Sequence, residues 1–134
     1  MPSSDHDRCH EAVIRWYDSA LNDYKIALDL IKLKHYHYGL FLCHLTIEKL
    51  LKGLIVQSGK EILLIHDLVR LTEMANLKLS KKYIEWLEEI TKFHIAGRYA
   101  EIKLEFYQKS TLEYTNRWLK NTKGLIEWLK KKYN

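Results

Sequence analysis

Apolar residues along this 134-residue chain recur at intervals of three and four. No strict apolar/polar alternation lasts long enough to argue for a sheet, so the periodicity is helical. Val13, Trp16, Ala20, Tyr24, Ala27, Leu28 and Ile31 form one stripe, with Asp18, Asp23, Lys25, Asp29 and Lys32 on the other side. That pattern predicts an amphipathic first helix from about Glu11 to Lys32. The segment "KLKHYHYG" reads as a short joint. A second helix is expected from about Tyr38 to Gln57, where Leu40, Ile47, Leu50, Leu51, Leu54 and Ile55 make a broad apolar face. At about 100° per residue, Phe41 and Leu45 fall beside Glu48 and Lys52 on the opposite flank. A helix apolar nearly all round belongs at the centre of its fold, with neighbours on more than one side. "QSGK" then reads as a stop and turn.

The stretch "EILLIH" reads as a loop leading into a short third helix, "HDLVRLTEMA". Ser80 is a candidate N-cap for a fourth helix to about His94, with Ile84, Leu87 and Ile90 inward. "IAGRYAEIKLEFYQKS" reads as irregular. Thr111 is a candidate cap for a long last helix to about Lys132, whose positions Leu112, Thr115, Leu119, Thr122, Ile126, Leu129 and Tyr133 keep helical spacing. The only proline is Pro2, so no later helix meets the strongest breaker. With no repeat or domain boundary in view, the expectation is a flexible tail over residues 1–10 and a single all-α domain over 11–134.

Composition provides ample material for a buried core: nine Tyr, four Trp and three Phe accompany an abundance of aliphatic residues. No apolar run approaches the roughly 18 to 20 residues that span a bilayer. The polar N-terminus does not read as a secretory signal. Two cysteines, Cys9 and Cys43, are too few for a disulfide framework, which points to a reduced, cytoplasmic protein with no membrane association. The net charge of +5 is unevenly placed. Acids and bases cancel up to residue 108, whereas Lys109, Arg117, Lys120, Lys123, Lys130, Lys131 and Lys132 face only Glu113 and Glu127. Such a run is an electrostatic footprint for phosphate or, more ordinarily, a solvated helix face.

The chain lacks a glycine-rich phosphate loop, a nucleophile elbow and a metal-spaced Cys/His set. His6, Cys9 and His10 in "HDRCH" carry metal-ligand chemistry without a supporting second shell, so no metal and no cofactor are expected. Glu48 and Lys52 are spaced for an ion pair along one helix, and their apolar flanks imply partial burial, where charges need partners. Asp67 can cap the third helix and His66 can hydrogen-bond a neighbouring one. Arg98 and Tyr99 follow Gly97; an arginine offers paired donors to phosphate, and a tyrosine ring can stack on a base.

The order "WYDSALNDY", "YHYGLFLCHLTIEKLLKGLIVQSGK", "IHDLVRL", "GRY" and "STLEYTNRWLKNTKGLIEWLKK" resembles the HEPN domain, a helical nucleotide-binding domain, over about residues 11 to 132. The resemblance implies an antiparallel up-and-down bundle of four to five helices, usually a homodimer. It is similar to the substrate-binding helical domain of aminoglycoside-type nucleotidyltransferases. Stand-alone members often act beside a small, separately encoded nucleotidyltransferase, in pairs resembling toxin–antitoxin modules. Carried over, Glu48, Lys49, Lys52, His66, Asp67, Arg98 and Tyr99 are the implied ligand-binding positions, with no catalytic residue among them. HEPN ribonucleases use an Arg followed about one helical turn later by a His; here "YAEIKLEFYQ" follows Arg98, and His94 precedes it. That departure argues against an enzyme of this kind. The expectation is therefore a module that binds a nucleotide or other phosphorylated ligand. The alternatives are a metal-independent endoribonuclease acting on RNA, with His94 or His66 beside Arg98, and a purely structural dimer.

Overall fold

The computed structural model describes residues 5–95 and 100–134, among which there are six helices and no strand. These are α1 (Asp5–Lys32), α2 (Tyr36–Gln57), α3 (Leu68–Met74), α4 (Lys81–Ile95), α5 (Ala100–Lys109) and α6 (Leu112–Lys130). The four long ones form the bundle, and α3 and α5 sit in its connections. The α1 helix begins before the expected Glu11, so residues 5–10 are its first turns rather than a segment preceding it.

Side-chain pairings give the directions. Along α1 and α2, Ala27 and Ile31 meet Gly39, Ser19 and Asp23 meet Lys49, and Trp16 meets Gly53, so the two helices are antiparallel. Along α4 and α6, Phe93 meets Tyr114 and Trp118 while Tyr83 meets Trp128, again antiparallel. The α2 and α6 helices run the same way, since Cys43 faces Thr122 while Leu50 meets Tyr133. The result is up-down-up-down, the arrangement that short connections favour.

The α2 helix is the axis of the bundle. Leu40, Cys43, Ile47, Leu50, Leu51, Leu54 and Ile55 are all buried, on every side of it, as its nearly unbroken apolar pattern implied. The caps also fall where the side chains allow them. Ser80 Oγ accepts from Tyr83 N at 3.2 Å, and Thr111 Oγ1 from Tyr114 N at 3.2 Å, each satisfying an otherwise orphaned N–H. After α2, Gly59 at φ 82 makes the turn that a residue with a Cβ resists.

The segment expected to be irregular is corrected by α5. Ala100 to Lys109 is rich in good helix formers, yet Phe106 is its one buried apolar side chain among those described. Leu104 and Tyr107 are more than half exposed, so no inward stripe exists to announce the helix. Glu89 ties α4 to both α5 and α6, accepting from Lys109 Nζ at 2.8 Å and Tyr114 Oη at 2.6 Å. Burial pushes this carboxyl up, but Lys109, Tyr114 and Lys92 outweigh it and hold it down at about 2.

At the other end of α2, Gly53 lets the C-terminus close over the bundle. A Cβ there would overlap the Tyr133 hydroxyl and lie 3.1 Å from Trp16 Cβ. Tyr133 also donates to the Leu50 carbonyl. Gly53→Ala should therefore lower stability by about 1 kcal/mol net, overpacking exceeding the helix-propensity gain. In denaturant titrations the Gly53→Ala, Tyr133→Phe double variant should lose less than the two single losses combined, because the overlapping hydroxyl is gone.

Candidate functional site

His44, Glu48 and Lys52 are spaced four apart on α2 and so lie in one row along the helix. The row faces the segment leading into α3, the end of α4 and Trp16 of α1. Its centre is the Glu48 carboxylate. Oε1 accepts from His66 Nδ1 at 2.7 Å, and Oε2 accepts from Lys52 Nζ at 3.2 Å. Glu48 and Lys52 are each only 5% exposed. The Lys52 ammonium also lies 5.8 Å from the centre of the Trp16 ring, a second favourable contact for a charge removed from water.

Burial by itself pushes the Glu48 carboxyl up. The hydrogen bond from His66, the field of His44 and the Lys52 ammonium more than offset it and leave the group below its ordinary value. A carboxylate only accepts, so His66 Nδ1 carries the hydrogen of the 2.7 Å bond. The ring is thereby held with Nε2 as its other nitrogen, and the His66 side chain is 38% exposed.

His44, fully buried, grips the same residue from one turn earlier on α2. Its Nε2 lies 3.1 Å from the His66 carbonyl oxygen, which has no proton to give, so Nε2–H donates. Burial lowers this imidazole to about 4, and the nearby Glu48 and the carbonyl only partly counter that. His44 is thus neutral at pH 7, and its 4.0 Å approach to Glu48 Oε1 is a dipolar contact rather than an ion pair. Among the described residues nothing donates to the buried His44 Nδ1. His94, at the end of α4, stacks on His66 with ring centres 4.1 Å apart and planes 21° apart. It also lies 5.0 Å from His44 and 5.9 Å from Phe41.

The positions singled out from the sequence divide. Glu48, Lys52 and His66 come together. Lys49 points the other way and holds α1, with Nζ 2.8 Å from Ser19 Oγ and 2.7 Å from Asp23 Oδ2. Asp67 faces solvent and caps α3, its Oδ1 accepting from Val69 N at 3.0 Å and Arg70 N at 3.3 Å. Arg98 and Tyr99 lie outside the described residues; in the chain they follow shortly after His94. His44 was not singled out, although it stands one turn before Glu48, the same spacing that made Lys52 noticeable. The sequence pairs His94 only with Arg98.

Stacked rings present their faces, not their lone pairs, to each other, and among the described residues no three His, Cys, Asp or Glu side chains are placed to hold a metal. His6 of the N-terminal "HDRCH" segment is not among the side chains described. Cys43 is no nucleophile: it is enclosed in the core, and burial pushes its thiol up to about 12. A recess of about 340 Å³ lies at the far end of α2, lined by His10, Val13, Tyr17, Asp18, Gln57 and Tyr133 among others. No described helix is long and apolar enough to cross a membrane.

The model of the HEPN domain matches residues 13–132, most of the chain. The chain belongs to the HEPN family. The crystal structure of TT1696 from Thermus thermophilus shares the fold with a TM-score of 0.77 at 18% identity, covering 90% of this chain and 98% of that one. A comparison with curated proteins finds no match. Within this HEPN bundle, then, the polar row is built on the central helix and completed by the loop before α3 and the end of α4.

Two outcomes test this geometry. Because the folded state holds His44 at about 4 while the unfolded chain protonates it near 6.5, stability should fall as pH drops from about 6.5 to 4, by about 3 kcal/mol in all. His44→Gln keeps a donor for the His66 carbonyl without titrating, so thermal melts of that variant should lose most of the slope in this window. Glu48→Ala strands a buried ammonium and should cost about 3 kcal/mol. In chemical denaturation, adding Lys52→Met should restore much of that loss.

Proposed function

We propose that this chain is a binding module for a nucleotide or similar phosphorylated ligand, and that it acts with a small, separately encoded nucleotidyltransferase in a toxin–antitoxin-like pair. The observation that carries the reading is the Glu48–His66 hydrogen bond, 2.7 Å long, beside the stacked ring of His94 and the buried Lys52. A carboxylate that fixes one imidazole nitrogen turns the other toward a ligand in a defined tautomer. That nitrogen can accept from a nucleotide hydroxyl or, once protonated, donate to a phosphate oxygen. Arg98 is assigned the phosphate by its chemistry, and Tyr99 the base or sugar. Lys52 contributes positive potential from behind Glu48 rather than direct contact, because its ammonium is already engaged.

Membership of the HEPN family supports the module, and we place it in a homodimeric assembly. A partner enzyme would supply the catalysis, and we place the pair in the cytoplasm. Isothermal calorimetry with ATP tests the proposal. Binding is expected, alone or with the partner, and both Arg98→Ala and His66→Ala should weaken it at least severalfold. No ATP binding in either setting would remove it.

A second reading, a metal-independent endoribonuclease, draws on the same pair of imidazoles. Phosphodiester cleavage needs a base and an acid on opposite sides of the phosphorus. His66 and His94 are instead stacked face to face at 4.1 Å, which places both on one side. That geometry favours binding over cleavage. RNA cleavage by the purified protein, abolished by both His66→Ala and His94→Ala, would reverse the order of the two readings.

A further inference from the structure

The end of the bundle where α1 turns into α2 carries a group of rings that the polar row does not use. His37 and Tyr38 pack together with ring centres 4.0 Å apart, and Tyr107 of α5 meets His37 edge-on at 5.0 Å. Lys103 Nζ lies 5.8 Å from the centre of the Tyr38 ring. Tyr38 is 50% exposed, Leu104 59% and Tyr107 61%. His37, Lys103, Leu104 and Tyr107 line a shallow recess of about 280 Å³. Rings exposed to this degree bury little against the core, so packing does not account for their presence.

The charges that act on His37 are positive, from Lys103 and His35. From Leu30 to Ile47 the sequence carries Lys32, Lys34, His35, His37 and His44 and no acid. On α5, Lys103, Leu104 and Tyr107 share a face, while Glu105 lies about 200° round the helix from Lys103. Burial, then Lys103 and His35, hold His37 below its ordinary value, which fits a neutral ring in a positive field. Aromatic faces among cations attract a planar ring attached to an anion, and a plain apolar partner would gain nothing from the lysines.

The rings also continue toward the polar row. His37 and Phe41 are one turn apart on α2, Phe41 lies 5.9 Å from His94, and His94 stacks on His66 at 4.1 Å. From His37 to Glu48 the helix rises about 16 Å. A nucleoside monophosphate with its base on Tyr107 falls short of His66, and a short single strand reaches it.

We propose that Tyr38, His37 and Tyr107, with Lys103, form a base-stacking subsite, and that the ligand of this protein is a short single strand of nucleic acid running from there to the Glu48–His66 pair. The proposal rests on the nucleotide reading above and extends its ligand beyond one nucleotide. Because the rings are exposed, their substitution leaves the core intact.

The experiment is fluorescence anisotropy with labelled single-stranded RNA and DNA ten-mers, run beside ATP calorimetry on the same preparations. The ten-mers should bind more tightly than ATP, and the RNA and DNA arms tell which sugar is preferred. Tyr107→Ala should weaken ten-mer binding roughly 5- to 100-fold, the range of a lost base–aromatic stack. Tyr107→Phe should retain it, and Lys103→Ala should reduce its salt dependence. Unchanged circular-dichroism melts confirm the fold of each variant. If ATP binds but the ten-mers bind no better, or bind equally to Tyr107→Ala, the subsite is refuted and the nucleotide reading stands. Tyr107-dependent ten-mer binding without ATP binding keeps the subsite and removes the mononucleotide reading. If neither binds, both fall.

Discussion

The enclosure of α2 is the constraint from which the rest of the structure follows. A helix covered on nearly every side has no solvent to receive its polar groups, so each must find a partner on a neighbouring element. Most of α2 meets this demand by being apolar. Among the exceptions, Thr46 bonds back to the Leu42 carbonyl and Lys49 pairs with Asp23 of α1, while His44, Glu48 and Lys52 share one row in which His44 and Glu48 are partnered by His66 of the segment before α3. That segment has no regular structure of its own, yet it is held at two points, the His66 carbonyl and the His66 ring. The burial that stabilises the bundle therefore also positions the imidazole that faces outward.

The charges in this row divide the work between them. Glu48 is ionised because three nitrogens surround it, although burial alone would favour its neutral form. Lys52 supplies the compensating charge from inside, beneath Trp16. His44 adds no charge at neutral pH, and its contribution is a hydrogen bond whose direction is forced by the carbonyl opposite. A neutral and a charged group thus hold one loop residue from adjacent turns, which fixes both the backbone and the tautomer of His66. Removing the charge and removing the neutral donor are different perturbations, and pH separates them.

Much of this was legible in the sequence where burial leaves a periodic trace. The stripes of α1, α4 and α6 and the all-round apolar character of α2 report packing directly, and Ser80, Asp67 and Thr111 announced helix starts through their side-chain oxygens. The Glu48–Lys52 spacing was readable for the same reason. What spacing cannot carry is a partner distant in the chain: His66 reaches Glu48 from the loop before α3, and His94 reaches His66 from the end of α4. Lys49 shows the converse: its neighbours in sequence place it near the row, while the helix turns it toward Asp23. The α5 helix escaped notice because Leu104 and Tyr107 point away from the core, so the cue that marks a helix was absent where exposed rings were placed instead.

Volume and chemistry point to different parts of α2. The recess near the chain termini is the larger, about 340 Å³ against about 280 Å³. Its lining, however, is mainly apolar, with Tyr133 already donating to the Leu50 carbonyl and Gln57 bonded to the chain terminus. Midway along α2 the polar row leaves His66 partly exposed, and toward the helix start the rings of α2 and α5 stand with Lys103 beside them. Binding specificity comes from a few placed polar groups on an apolar floor, not from space alone. The stretch that combines a fixed imidazole, exposed ring faces and positive charge is therefore the one on which the proposed function rests, even though its recess is the shallower.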